Sequence, residues 1–153
     1  MNLQKSHSNF EIDLMCWSDL DQVLSLESQS FATPWTRMSF ELSVNNPDVD
    51  ALVIRKEGVV AAYLIASERG GEYLIANVAV VKQYRRQGLA TDLVTQALVM
   101  AEGRGVSHAV LEVRESNHGA ISLYERLGFQ YVQKNPDYYS SPREDALVMA
   151  VRL

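Results

Sequence analysis

The sequence is poor in features that mark several protein classes. Cys16 is its single cysteine, so no disulfide can form within the chain, which fits a reducing compartment such as the cytoplasm. The apolar runs are too short to span a bilayer, and the polar residues 1–9 lack the pattern of a signal peptide. The histidines, His7, His108 and His118, do not have the spacing of metal ligands. We therefore expect a cytoplasmic protein with no membrane segment and no metal site.

The chain also lacks an excess of positive charge. Its 14 Lys and Arg residues face 19 Asp and Glu residues, which gives a formal net charge of −5. This balance argues against a general nucleic-acid binder and mildly favours a cationic partner. Its 153 residues, 47% of them hydrophobic, show no repeat and no linker, so we expect one domain over residues 1–153 with a substantial core. The oligomeric state stays open, with a monomer as the working expectation.

The apolar patterning predicts alternating strands and helices. We expect Ser18 to cap the first helix, Thr36 the second and Asn117 the last, with Gly128 ending the last helix and a hairpin turn at 56–58. Predicted strands cover 10–15, 51–55, 59–66, 73–81, 109–114, 129–133 and 146–153; predicted helices cover 18–30, 36–44, 89–103 and 117–127; a polar loop covers 135–143. This order implies one mixed sheet with helices on its faces, α/β or α+β in class.

The most informative stretch runs from the apolar strand 73–81 through a basic turn into the long helix. Gly88 lies at the helix start, where unpaired N–H groups and the helix dipole suit an anion such as pyrophosphate. Arg85 and Arg86 add positive charge to this turn. The stretch has neither the Gly-Lys-Ser/Thr of a P-loop nor the three glycines of a dinucleotide site. By itself it could also be an ordinary basic turn capping a helix.

Two residues have side chains suited to proton transfer. Glu112 is a carboxylate within a strand, where such residues are uncommon, so it is either a general base in a cleft or a carboxylate paired with Arg114 or Arg85. Tyr124 lies on the inward face of its helix and is either a core tyrosine or an acid near a leaving group. Four aromatic residues could pack or could line a substrate slot: Phe31, Trp35, Tyr138 and Tyr139.

Several segments together resemble a known family. Arg85-Arg86-Gln87-Gly88-Leu89-Ala90, with its flanking strand and helix, resembles the acetyl-CoA signature of the GNAT superfamily of N-acetyltransferases. Segments 111–117, 120–129 and 138–146 are similar to a narrower group, the RimI-like protein N-terminal acetyltransferases. The resemblance runs from about 77 to 149, and Phe31-x-x-Pro34-Trp35 extends it towards the N-terminus.

The resemblance implies a mostly antiparallel mixed sheet with two splayed parallel strands and helices on both faces. It implies transfer of acetyl from acetyl-CoA, without a metal, to the N-terminal α-amine of a protein. The expected acceptor is the N-terminal alanine of small ribosomal subunit protein 18. Glu112 would accept a proton, Tyr124 would donate one, and Phe31, Trp35, Tyr138 and Tyr139 would bind the acceptor. Acetyl-CoA would contact Val78, Ala79, Val80, Arg86, Gln87, Gly88, Leu89, Ala90, Thr91 and Asn117.

Two other functions stay open on the same residues. The acceptor could be a small-molecule amine, such as a polyamine, an amino acid or an antibiotic, because the fold accommodates many acceptors. The chain could also be a noncatalytic acyl-CoA-binding module or a partner-docking subunit, although the presence of both Glu112 and Tyr124 argues against this.

Overall fold

The computed structural model describes residues 9–153 in full and the backbone of residues 2–7. The strands in this part of the chain are β1 (Asn2–His7), β2 (Phe10–Leu14), β3 (Val49–Lys56), β4 (Val59–Arg69), β5 (Glu72–Val80), β6 (His108–Arg114), β7 (Gln130–Tyr139) and β8 (Glu144–Arg152). The α-helices are α1 (Leu20–Ser30), α2 (Arg37–Asn45), α3 (Leu89–Gly103) and α4 (His118–Arg126).

All eight strands form one sheet in the order β1-β2-β3-β4-β5-β6-β8-β7. Neighbouring strands run antiparallel except β5 and β6, which are parallel. The parallel pair needs a crossover, and α3 supplies it. The predicted mixed, mostly antiparallel sheet is confirmed.

The sheet is covered on both faces, as predicted. On one face, residues of α3 such as Leu93 and Ala97 pack with Ile75 and Leu111 of the parallel strands, and α4 joins them through Tyr124. On the other face, α1 and α2 pack against β3, β4 and β5, with Phe40 and Tyr63 at the centre. We refer to these as the α3/α4 face and the α1/α2 face.

Most predicted chain reversals and caps are confirmed. The Thr36 hydroxyl accepts a hydrogen bond from the Ser39 N–H at 3.2 Å, and Asn117 Oδ1 accepts one from the Ala120 N–H at 3.2 Å. Glu57 and Gly58 turn the β3–β4 hairpin with φ of 51° and 83°. Two successive residues with positive φ form the turn whose twist matches that of paired strands.

Two local predictions are wrong, and one strand was not predicted. Ser18 does not cap the first α-helix: Trp17–Asp19 form a short 3₁₀ turn, and α1 begins at Leu20 after Asp19. The Asp19 carboxylate accepts a hydrogen bond from the Cys16 N–H at 2.9 Å and forms an ion pair with Arg55 at 2.7 Å. This tertiary ion pair fixes where the helix starts. Residues 2–7 add an edge strand that was not predicted, while residues 1 and 8 and the His7 side chain lie outside the described residues.

The second wrong prediction concerns the tyrosine-bearing segment 135–143. β7 continues to Tyr139 and β8 begins at Glu144, so the connection is only 140–143. The register between β7 and β8 shifts between Asn135 and Tyr139, and Asp137 has φ of 52°. This irregular edge strand is mostly exposed, which explains a composition that resembles a loop.

Candidate active site

The two parallel strands separate halfway along their length. β5 and β6 pair from Glu72 opposite His108 to Ile75 opposite Leu111. Beyond this point β5 pairs only with β4, and β6 pairs only with β8. The register against β4 skips Ala76, which forms a bulge just where the strands part, and bulges bend the strand that carries them. The result is the predicted splay, a gap in the sheet between residues 77–80 and 112–114.

The β5 backbone presents unpaired groups to this gap. The Val81 N–H donates to the Ala61 carbonyl of β4 at 2.8 Å. Because main-chain groups alternate in direction along a strand, the N–H of Ala79 also faces β4, whereas those of Val78 and Val80 face the gap. The Val80 carbonyl follows this pattern, since it accepts a hydrogen bond from Arg85 Nε at 3.2 Å. Among the described residues, the main chain of Val78 and the N–H of Val80 therefore remain unpaired at this edge of β5.

The turn that leads into α3 forms a backbone nest. Gly88 precedes the helix with φ of 81°, and Arg86 also has a positive φ, 63°. The first helical bond runs from the Asp92 N–H to the Gly88 carbonyl at 3.0 Å. Within the described part of the chain, the N–H groups of Leu89, Ala90 and Thr91 have no hydrogen-bond acceptor. Together with the exposed side chains of Arg86 and Gln87, this arrangement fits a pyrophosphate.

Glu112 lies at the gap, immediately after Leu111, the last residue of β6 that pairs with β5. Its neighbours Leu111 and Val113 are buried on the α3/α4 face, so the Glu112 side chain points to the α1/α2 face. Its Oε2 accepts a hydrogen bond from Asn135 Nδ2 at 3.4 Å. Burial, followed by the nearby Glu112 carboxylate, raises the pKa of the Tyr138 hydroxyl.

The alternative ion pairs for Glu112 are not formed. Arg114 binds Glu144 at 3.2 Å and the Pro142 carbonyl at 3.0 Å, and Arg85 binds the Val80 carbonyl. Among the described residues, Glu112 is hydrogen-bonded by the Asn135 side chain and has no ion pair with Lys, Arg or His, so its carboxylate borders the gap without a cation beside it.

Tyr124 lies on the opposite face of the sheet. Its ring packs edge-to-face with Phe129 at 5.7 Å, and burial raises the pKa of its hydroxyl to about 12. No hydrogen bond to this hydroxyl occurs among the residues that the structure describes. At neutral pH the phenol is protonated and able to donate. Burial is the main cause that raises the pKa of Tyr139 to about 12. Glu112 and Tyr124 lie close enough to contribute to the same rise.

The predicted acceptor residues lie in two places. Phe31 and Trp35 belong to the loop between α1 and α2, where Phe31 is exposed and Trp35 packs on Phe40 with ring centroids 5.4 Å apart. Tyr138 and Tyr139 are at the end of β7, with their rings 5.0 Å apart. Tyr139 also lies under the Arg114 guanidinium, 4.3 Å from it. The structure thus brings Tyr138 and Tyr139 near Glu112.

One residue of this region was overlooked in the sequence. Glu27, only 1% exposed, lies on the buried side of α1 and reaches both the Trp35 loop and β5. The available signal was its spacing, because Glu27 continues the apolar positions Leu20 and Val23 of that helix. A carboxylate at such a position is seldom buried without partners.

Comparison with known proteins agrees with this geometry. The family model described as the acetyltransferase (GNAT) family matches residues 18–129. The chain belongs to this family. The predicted fold, the acetyltransferase activity and acetyl-CoA as the donor are thereby confirmed.

Individual relatives cover nearly the whole chain. A Bacillus subtilis protein is 37% identical over 88% of this chain and 90% of its own length. The ribosomal protein bS18-alanine N-acetyltransferase of Escherichia coli K12 is 35% identical over 88% of this chain and 91% of its own length. The crystal structure of the Escherichia coli ribosomal-protein-S18-alanine N-acetyltransferase superimposes with a TM-score of 0.85 at 33% identity, covering 94% of this chain and 93% of that one.

The described residues lack two further features, a membrane-spanning helix and a cluster of metal ligands. None of their helices is both long and apolar enough to cross a membrane. Within the same residues, no group of three or more His, Cys, Asp or Glu side chains is arranged to hold a metal ion.

Proposed function

We propose that this GNAT acetyltransferase transfers acetyl to the N-terminal α-amine of a protein, and that its acceptor is the N-terminal alanine of ribosomal protein bS18. The main structural support for this reaction is the gap between β5 and β6. The α3 turn and Tyr124 lie on its α3/α4 side, and Glu112 and Tyr138 lie on its α1/α2 side. The acceptor is proposed from the Escherichia coli relatives, whose names state it. A ribosomal acceptor places the reaction in the cytoplasm.

The donor would lie along the free edge of β5 and across the gap. The nest at residues 86–91 would bind the pyrophosphate, the main chain of Val78 would bind the pantetheine arm, and the N–H of Val80 would face the thioester carbonyl. Asn117 uses its Oδ1 to cap α4, so its Nδ2 is the group that could reach the same arm. Ala79, whose N–H faces β4, would contribute by shaping the strand. All of these residues belong to one proposed catalytic domain, 1–153.

The acceptor amine would attack the thioester carbonyl directly. A new N–C bond forms, the C–S bond breaks, and the Val80 N–H stabilises the oxyanion between these events. The amine proton passes to Glu112, directly or through a water molecule, and Tyr124 donates a proton to the departing thiolate. An α-amine with a pKa of ~7.8 is already neutral in roughly a fifth to a third of molecules near neutral pH, whereas a lysine amine is neutral in about one in a thousand. The site therefore suits an N-terminus better than a lysine.

Mass spectrometry of two peptides tests this function. Each is incubated with acetyl-CoA and the purified protein: one has a free N-terminal alanine followed by basic residues, and the other is blocked at its N-terminus and carries a lysine. We expect acetylation of the free N-terminus alone. Absence of transfer to either peptide, with thermal stabilisation by CoA intact, would reject the protein acceptor and favour a small-molecule amine.

A further inference from the structure

Glu27 is a buried carboxylate that has no role in the proposed reaction. Its Oε1 accepts hydrogen bonds from the Tyr63 hydroxyl and from Asn77 Nδ2, the latter at 2.9 Å. Its Oε2 accepts one from the Trp35 N–H at 2.9 Å. In the described part of the chain, no Lys, Arg or His pairs with it. Burying a carboxylate without a cation is unfavourable unless hydrogen bonds replace its hydration, and here three donors do so.

These donors come from three different elements around the gap. Tyr63 is in β4, Asn77 follows the Ala76 bulge in β5, and Trp35 is in the loop between α1 and α2. Burial, followed by the Glu27 carboxylate, raises the pKa of the Tyr63 hydroxyl, so Tyr63 stays a donor. Glu27 thus connects the loop proposed to bind the acceptor to the segment of β5 proposed to bind the thioester.

We infer that Glu27 is a positioning residue, which fixes the Trp35 loop relative to residues 77–80 and so sets where the acceptor amine meets the thioester. This inference rests on the proposed function. Glu27 is not itself placed to take a proton from the acceptor, because it is buried and both of its oxygens are already bonded to protein donors. Residues 77–80 are held by their pairing with β4 whether or not Glu27 is present, so the position of the Trp35 loop is what depends on Glu27.

Glu27→Gln tests the inference with almost no change in shape. Glutamine has one acceptor oxygen and a donor NH₂, so when its oxygen faces Tyr63 and Asn77 its NH₂ faces the Trp35 N–H, donor against donor. We expect KM for the alanine peptide to rise at least fivefold and kcat to fall about tenfold, while Kd for acetyl-CoA stays within twofold. The pH profile of kcat should keep its shape, and hydrogen exchange at the Trp35 amide should accelerate. Glu102→Gln, on the exposed surface of α3, is the matched control and should change none of these values.

Glu27→Asp is the second variant, because it retains the charge but is one methylene too short to reach both the sheet and the loop. We expect the same rise in peptide KM. If the wild type acetylates the peptide and both variants match it within twofold, the inference is wrong. It is also wrong if acetyl-CoA affinity falls as much as peptide affinity, or if neither variant folds, since Glu27 would then serve only stability. A wild type that acetylates no N-terminus would instead reject the proposed function.

Discussion

Tyr124→Phe removes one hydroxyl and retains the ring that packs on Phe129. The wild-type hydroxyl, with a pKa raised by burial to about 12, is ionised in fewer than about one molecule in 10,000 at neutral pH. It is therefore nearly always available as a proton donor. Because it has no hydrogen-bond partner among the described residues, its removal leaves no buried group unsatisfied. We expect the free energy of unfolding to change by less than about 1 kcal/mol.

The expected effect on catalysis is much larger. General acid catalysis contributes roughly 10²–10⁴-fold, and a thiol resembling cysteine, with a pKa of ~8.5, is a moderately good leaving group that needs limited help. We therefore expect the lower end of the range, a loss of about 10²-fold in kcat, or about 2.7 kcal/mol of barrier. Kd for acetyl-CoA should stay within twofold, because the proposed contacts of Tyr124 concern the reacting thiol.

The assay measures CoA thiol release under saturating acetyl-CoA and peptide, with Kd for acetyl-CoA determined by calorimetry. Tyr131→Phe, at an exposed position of β7, is the control for loss of a phenol hydroxyl. In the wild type, Tyr124 loses its proton only as the pH approaches about 12, so it should cause no decline of kcat below about pH 10. A kcat for Tyr124→Phe within twofold of wild type would refute the proton-donor role. A kcat loss accompanied by an equal loss of acetyl-CoA affinity would indicate a binding role instead.

Three further substitutions test other parts of the site and fold. Glu112→Gln should lower kcat/KM for the peptide, and the loss should shrink as pH rises because more α-amine is already neutral; a pH-independent loss would indicate a structural carboxylate. Gly88→Ala should raise Kd for acetyl-CoA at least tenfold, because alanine disfavours the φ of 81°, whereas Gly103→Ala, where an added Cβ meets nothing, should leave it unchanged. Thr36→Ala removes the α2 cap and should lower the free energy of unfolding by about 1 kcal/mol, as measured by thermal unfolding; an unchanged Tm would show that the cap contributes nothing to stability.

Much of the fold follows from local patterns. The apolar strand 73–81, the turn at Gly88 and the long amphipathic helix after it were all predictable, because strand and helix periodicities and glycine turns depend on neighbouring residues. The caps at Thr36 and Asn117 follow for the same reason, since each side chain bonds an N–H three residues away. By contrast, the start of α1 depends on Asp19 meeting Arg55, 36 residues away, and local pattern does not report that contact.

The candidate active site likewise combines features that follow from local sequence with features that depend on tertiary contacts. The sequence alone determined which side chains could perform the proposed chemistry, Glu112 and Tyr124 among them, and that the α3 turn suits an anion, because these are properties of residue type and local backbone. Only the tertiary structure decided that the β5 bulge opens the sheet beside Glu112 and that Tyr138 lies near this carboxylate. It also decided that Glu27 joins the Trp35 loop to β5 across 50 residues of sequence. Such arrangements arise from packing between distant segments, which a single sequence does not encode locally.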